Sequence, residues 1–456
     1  MLRRELSFIQ ATAINMIDMV GIGPFVTTAL VAATMGSVHL AIMAWVVGLV
    51  FCFIDASVWS ELGAKFPEAG GSYKFLREAY GHTTWGRYFS FLFIWQTVFT
   101  APLVVASGAL GFASYAQFFL AGVPQNGPTL ESRLIAVCVI IILTVLLYRK
   151  ISDVGRISVA LWICVVFAMV LMIITGFVYG SPLDVVSDVI SPSEGWYVSL
   201  ADEHVWAALG VATIPTMYSY LGYYNVCHLG GEVTSPEKLI PRSMYVSIAG
   251  IGLLYLLMQI AVYASLPIDS IKRSKFVVSD MVSAALGHEV AVIATVLILV
   301  IAMASLFSVM LGYSRVPYAA AQDGLFFNVF GKLHPSQNFP HVALLVLAVL
   351  ALVFAATLTI SDTIKSIVTM RVFTQFIAQA AGLVVLRRRI GWRAMPWRMW
   401  FYPIPVILTV LLWLWVFASA KPLQQQVGII APMVGSVVFV AVSYSRKTWP
   451  FKTKSM

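Results

Sequence analysis

The chain has 456 residues, of which 60% are hydrophobic and only 11% charged, with a net charge of +9. Its mean hydropathy of +0.88 excludes a soluble globular domain, which lacks the polar surface to cover so much apolar side chain. The chain therefore reads as an all-α polytopic membrane protein, because its apolar runs are continuous and do not alternate as barrel strands would.

In chain order, twelve apolar runs of membrane length fall at 8–34, 38–62, 85–121, 131–148, 155–180, 203–233, 242–266, 289–320, 341–358, 361–386, 402–420 and 426–444. Twelve spans put both termini on one side. That side collects 22 of the 29 Lys and Arg residues, against 5 on the other, with Lys365 and Arg371 inside the tenth span. The asymmetry places both termini in the cytoplasm and the chain in the cytoplasmic membrane. It also accounts for the net positive charge without a nucleic-acid partner. The four cysteines, Cys52, Cys138, Cys164 and Cys227, all lie in spans and lack metal-type spacing, so they are expected to pack in the core.

The first span carries Gly21-Ile22-Gly23-Pro24 near its middle. Glycine ends helices and proline favours the first helical turn, so one helix is expected to stop near Val20 and another to start near Pro24. The sixth span runs Pro215-Thr216-Met217-Tyr218-Ser219-Tyr220-Leu221-Gly222, a second candidate break. Bare backbone survives at membrane depth only where protein or a polar cavity satisfies it. The two spans lie five apart and so enter from opposite sides, and interrupted helices at matching positions of two oppositely oriented halves point to a transporter site.

Three further stretches are informative: "PEAGGSYKFLREAYG" at 67–81, "GGEVTSPEKLIPRSM" at 230–244 and "GYSRVPYAAAQDGLF" at 312–326. With the glycines of the first span, they resemble the amino acid–polyamine–organocation transporter superfamily. The resemblance implies a five-plus-five inverted repeat, with 1–180 as the first repeat, 203–386 as the second, and two additional helices at 402–444. It further implies alternating access around a site between broken helices 1 and 6. On this sequence that site maps to Gly21, Ile22 and Gly23, and to Met217, Tyr218, Ser219, Tyr220 and Gly222, with Tyr218 where many members place an aromatic gate. Two coupling signatures are incomplete. The fifth span, "RISVALWICVVFAM" at 156–169, has no lysine, and the eighth offers Ala304-Ser305 and Ser308 where sodium-coupled relatives often carry a Ser/Thr pair.

Charges inside the membrane are expensive and mark function. Asp18 precedes the first break by one turn and is a candidate to receive a substrate ammonium, a cation or a proton. Arg371 is a candidate outer-gate cation or a partner for Asp18. Glu232 is expected to form a structural or gating salt bridge with Arg242 or Arg315. Asp55 lies on the second span, and Glu61, nearer its inner end, is expected to be solvated.

No Walker-type phosphate loop occurs, so ATP is not the direct driver, and no catalytic cluster points to an enzyme. An ion channel would need carbonyl or charge rings about an axis, which two unlike breaks in one chain do not supply. The expected function is a permease for amino acids, with polyamines or other organic amines as the alternative. It needs no metal, cofactor or obligatory protein partner beyond a coupling H+ or Na+ and the lipid bilayer.

Overall fold

A computed structural model describes residues 3–120, 129–192, 195–357, 367–445 and 448–451. Lys365, the start of the tenth apolar run, and Arg446, Lys447, Lys452 and Lys454 lie outside the described residues. The helices in chain order are α1 (Phe8–Met19), α2 (Gly23–Met35), α3 (Val38–Lys65), α4 (Ser72–Tyr80), α5 (Trp85–Ala116), α6 (Leu130–Leu147) and α7 (Ile151–Tyr179). Next come α8 (Pro182–Ile190), α9 (Trp196–Ala201), α10 (Glu203–Tyr220), α11 (Asn225–His228), α12 (Pro236–Ser265), α13 (Ile268–Arg273), α14 (Val277–Leu286) and α15 (His288–Gln322). The chain continues through α16 (His341–Thr357), α17 (Ile367–Ile390, π-helical over Val372–Ile377), α18 (Ile404–Ser419) and α19 (Pro422–Ser445). Among the described residues no strand forms beyond two isolated bridges, Leu6 with Val233 and Ala69 with Leu229.

Eight of these helices are long and apolar enough to cross a membrane, and the bent pair α1–α2 makes a ninth. Their outward faces are apolar: Leu134, Ile141 and Val145 on α6, Ile163, Phe167 and Val178 on α7, and Val437 on α19 are all exposed. Patches of that extent belong against lipid. Cys138 and Cys164 share these outward faces, so the expectation that all four cysteines pack in the core holds only for Cys52 and Cys227.

The interior is built around α3, whose Trp45 and Trp59 are buried, together with α10, α12 and α15. Trp59 stacks on Tyr224 at 4.3 Å between ring centroids, and Trp413 of α18 stacks on Phe376 at 3.8 Å. Asp55 is buried here, accepting hydrogen bonds from the Tyr223 hydroxyl and from Trp413 Nε1.

One end of the bundle is fastened by ion pairs. Glu232 is fully buried and receives Arg315 Nε at 3.1 Å and Nη2 at 3.0 Å, which selects Arg315 over Arg242 as its partner. The Glu232 carbonyl also accepts the backbone N–H groups of Glu5 and Leu6, both at 2.9 Å, tying the segment before α1 to the segment after α11. Glu61 is not solvated as expected: it is fully buried, takes Arg387 Nε at 2.5 Å and Nη2 at 2.6 Å, and accepts the Met399 N–H. The last turn of α17 supplies Arg387, and the basic loop that follows it reaches the end of α3 and supplies the Met399 N–H. Asp323, which ends α15, is paired with Lys74 and Arg77 of α4. Burial opposes its ionisation, but the hydrogen bonds from the two cations outweigh burial and hold its carboxyl below the usual carboxylate range.

Candidate functional site

The chain leaves helical geometry twice at the centre of the bundle. After Met19, α1 stops and α2 resumes at Gly23, bent by 44° across Val20–Ile22. Pro24 sits in the first turn of α2, where its missing N–H costs nothing. The N–H groups of Ile22 and Gly23 make no hydrogen bond among the described residues, so the positive end of α2 is open. The second departure follows Tyr220, where Leu221 is extended and Gly222 has φ of +122°, a conformation closed to most side chains. A Cβ on Gly222 would lie 2.9 Å from the backbone of Asp18 and Met19, so the two departures touch.

Side chains from neighbouring helices satisfy much of the freed backbone. Tyr255 of α12 donates to the Met19 carbonyl at 2.7 Å and reaches the Ser219 carbonyl at 3.2 Å, bridging both departures. Ser305 of α15 donates to the Asp18 carbonyl at 3.2 Å. Asn15 accepts the Val226 N–H at 2.8 Å, and Thr27 shares a 2.8 Å hydrogen bond with Ser219. Asn225 donates to Ser308 Oγ, which in turn donates to the Ile14 carbonyl at 2.7 Å.

Between the departures lies a cavity of about 80 Å³. Asp18, Gly21, Ile22 and Gly23 line it from the first departure, and Tyr218, Ser219 and Gly222 from the second. Val104 and Gly108 of α5, Ser305 and Tyr313 of α15, and Arg371 of α17 complete much of the wall, with Tyr224 beside them. Among the described residues, the Asp18 carboxylate has no hydrogen-bond or ion-pair partner. Arg371 is 3% exposed. It donates through Nη1 to the Tyr224 hydroxyl at 3.2 Å and lies 5.3 Å from the centre of the Tyr313 ring, while its Nη2 is buried without a partner. Two opposite charges thus face one cavity without pairing to each other.

Four candidates from the sequence sit elsewhere. Met217 and Tyr220 are three residues apart, so both project from the same face of α10, away from the cavity and towards α3. There Met217 meets Cys52, and the Tyr220 hydroxyl reaches the Trp45 carbonyl. Ser308 is fully buried one turn below Ser305 and serves the hydrogen bonds described above. Glu232 fastens the bundle end and lies outside the cavity wall. Sequence reasoning missed Tyr255, Tyr224, Tyr313, Asn15 and Asn225. Asn15 and Asn225 carried a signal, because an amide within an apolar helix must find a partner.

A profile of the amino acid permease family matches residues 6–441. The chain belongs to that family. The permease is 24% identical to the methylthioribose transporter of Bacillus subtilis over 98% of this chain and 94% of the relative. It is 23% identical to the human cystine/glutamate transporter over 95% of this chain and 84% of the relative. It is also 23% identical to the serine/threonine exchanger SteT of Bacillus subtilis, over 90% and 89%. The permease is accordingly a multi-pass membrane protein, and its relatives are transporters rather than enzymes.

Proposed function

We propose that this permease is a secondary active transporter that carries an amino acid across the cytoplasmic membrane by alternating access. The observation that carries the reading is that Asp18, Arg371, Ile22 and Gly23 line one cavity, where Arg371 Nη2 and, among the described residues, the Ile22 and Gly23 N–H groups have no hydrogen-bond partner. A zwitterion matches all of them. Its carboxylate takes the positive end of α2 and the free Nη2 of Arg371. Its ammonium takes Asp18. Each buried charge then gains a partner, and unpartnered charge in a low-dielectric interior is costly. A polyamine fits less well, because it needs an acid for each of several ammonium groups and Asp18 is the one acid among the lining residues. The relatives alone do not choose the solute, since one is named for methylthioribose, which has neither amine nor carboxylate.

On this reading the chain crosses the membrane twelve times with both termini in the cytoplasm, and spans 1–5 and 6–10 form two inverted repeats at 1–180 and 203–386, followed by two further helices at 402–444. The broken spans are α1–α2 and α10–α11, and Tyr218 closes over the solute between them. The coupling ion is H+ or Na+, with Asp18 and Ser305 beside its path and no other cofactor.

Counterflow of labelled amino acids in proteoliposomes tests this. Wild type is expected to show saturable counterflow. Asp18→Asn keeps the shape and removes the charge, and losing a charge-assisted hydrogen bond of about 1.5–3 kcal/mol lowers uptake by roughly 10- to 100-fold. Conductance without saturation would make the protein a channel, and wild-type uptake by Asp18→Asn would make the acid structural.

A further inference from the structure

A second cavity, of about 390 Å³, opens at the end of the bundle where α3 and α17 finish. Its wall includes Arg4, Lys65 and Arg393, with Glu237 as its one acid. It adjoins the loop after α17, Gly391 to Tyr402, which holds Arg393 and Arg398 among Trp392, Trp397, Trp400, Phe401 and Tyr402. Trp392 is 54% exposed, Trp400 64% and Phe401 82%. The Arg393 and Arg398 guanidinium groups lie 5.7 Å and 4.4 Å from the centre of the Trp392 ring.

Several cations gather at this place without a bonded carboxylate, unlike those that fasten the bundle end. Arg315, Arg387, Lys74 and Arg77 are each neutralised by a carboxylate. Among the described residues, Arg4, Lys65, Arg393 and Arg398 have no ion-pair partner. Lys65 donates to the Ala394 carbonyl and Arg398 to the Arg393 carbonyl, which orients both cations without cancelling them. Exposed tryptophan beside uncancelled arginine at a helix end is the chemistry of a membrane–water boundary: the rings settle at headgroup depth and the cations attract anionic lipid.

We infer that this cavity, with the adjoining Trp392–Phe401 surface, binds the phosphate headgroup of an anionic phospholipid of the inner leaflet. The inference rests on the reading that this end faces the cytoplasm. A zwitterionic headgroup binds less well, because its own ammonium meets the same cations. Lipid held here bears on the core, since Met399 of this loop and Arg387 in the last turn of α17 grip the buried Glu61 of α3.

The test is native mass spectrometry of the full chain in micelles doped with phosphatidylglycerol or phosphatidylcholine. Wild type is expected to retain phosphatidylglycerol preferentially. Arg393→Gln and Arg398→Gln, both exposed, each lower that retention about fivefold, while Lys332→Gln, outside the site, does not. Equal retention of the two lipids, or an equal loss in Lys332→Gln, overturns the proposal. Competition by millimolar glycerol phosphate as complete as that by the lipid also overturns it, by making a soluble phosphate the ligand. Counterflow measured on the same preparations separates the two readings: lost lipid preference with intact counterflow removes only this site, and absent counterflow with intact preference removes only the transport assignment.

Discussion

Replacing Tyr255 with phenylalanine removes one oxygen and keeps the ring, which contacts Trp45 and Tyr220 at 5.6 Å and 5.2 Å between centroids. The lost hydroxyl holds the Met19 carbonyl at 2.7 Å and the Ser219 carbonyl at 3.2 Å. The Met19 carbonyl keeps a second donor, the Gly21 N–H at 3.1 Å. The Ser219 carbonyl keeps none among the described residues, because α10 ends one residue later. One hydrogen bond contributes about 1 kcal/mol net, and an orphaned buried carbonyl costs about 1–2 kcal/mol more. The expected loss is about 2–3 kcal/mol, read as the shift in reversible unfolding when the sodium dodecyl sulfate fraction of mixed micelles is raised. Apparent affinity for the solute falls in parallel, since fewer molecules hold both departures in binding geometry. A loss below about 0.5 kcal/mol with wild-type affinity would refute the claim that α12 holds the two departures together.

A leucine at Gly23 places its Cβ 3.3 Å from Ser219 Cα and Oγ and fills a cavity of only about 80 Å³. Gly23→Leu should therefore abolish the thermal shift produced by amino acids in purified protein, and an unchanged shift would move the site elsewhere. Glu232→Gln leaves Arg315, 2% exposed, without its carboxylate, and should cost about 3–5 kcal/mol in the same unfolding assay. A loss below about 1 kcal/mol would mean that the pair is solvated in the working protein.

Backbone chemistry was legible where it acts over a few residues. Gly21, Gly23 and Pro24 mark where α1 stops and α2 starts: the missing proline N–H is a local property, and the two glycines admit Ser305 and Ser219 close to the backbone. What could not be read was direction across space. The run from Met217 to Gly222 identifies a departure, but only the packing of α10 on α3 turns Met217 and Tyr220 away while Tyr218 and Ser219 face the cavity. Glu61 looked solvated because its partner, Arg387, is 326 residues distant in the last turn of another helix, and no local pattern announces their meeting. Cys138 and Cys164 show the same limit in a span: an apolar helix facing lipid and one facing the core have the same composition.

The two departures are held in different ways from the charges beside them, and this bears on what the cavity is for. Tyr255, Ser305 and the Gly21 N–H satisfy the carbonyls of Asp18 and Met19 within the protein. Backbone at the end of α1 therefore needs no ligand to persist. Among the described residues the Asp18 carboxylate and Arg371 Nη2 have no hydrogen-bond partner, and both residues line the cavity. Had the chain needed only a stable kink, an ion pair between them or two apolar residues would have been less costly. A ligand that carries both charges settles both groups at once, whereas a neutral sugar settles neither and leaves the desolvation cost in place. On the transport reading proposed above, the free charges, more than the kinship to any one transporter, favour a zwitterion, and that reading puts the discrimination in two side chains, Asp18 and Arg371, rather than in the glycines that open the space.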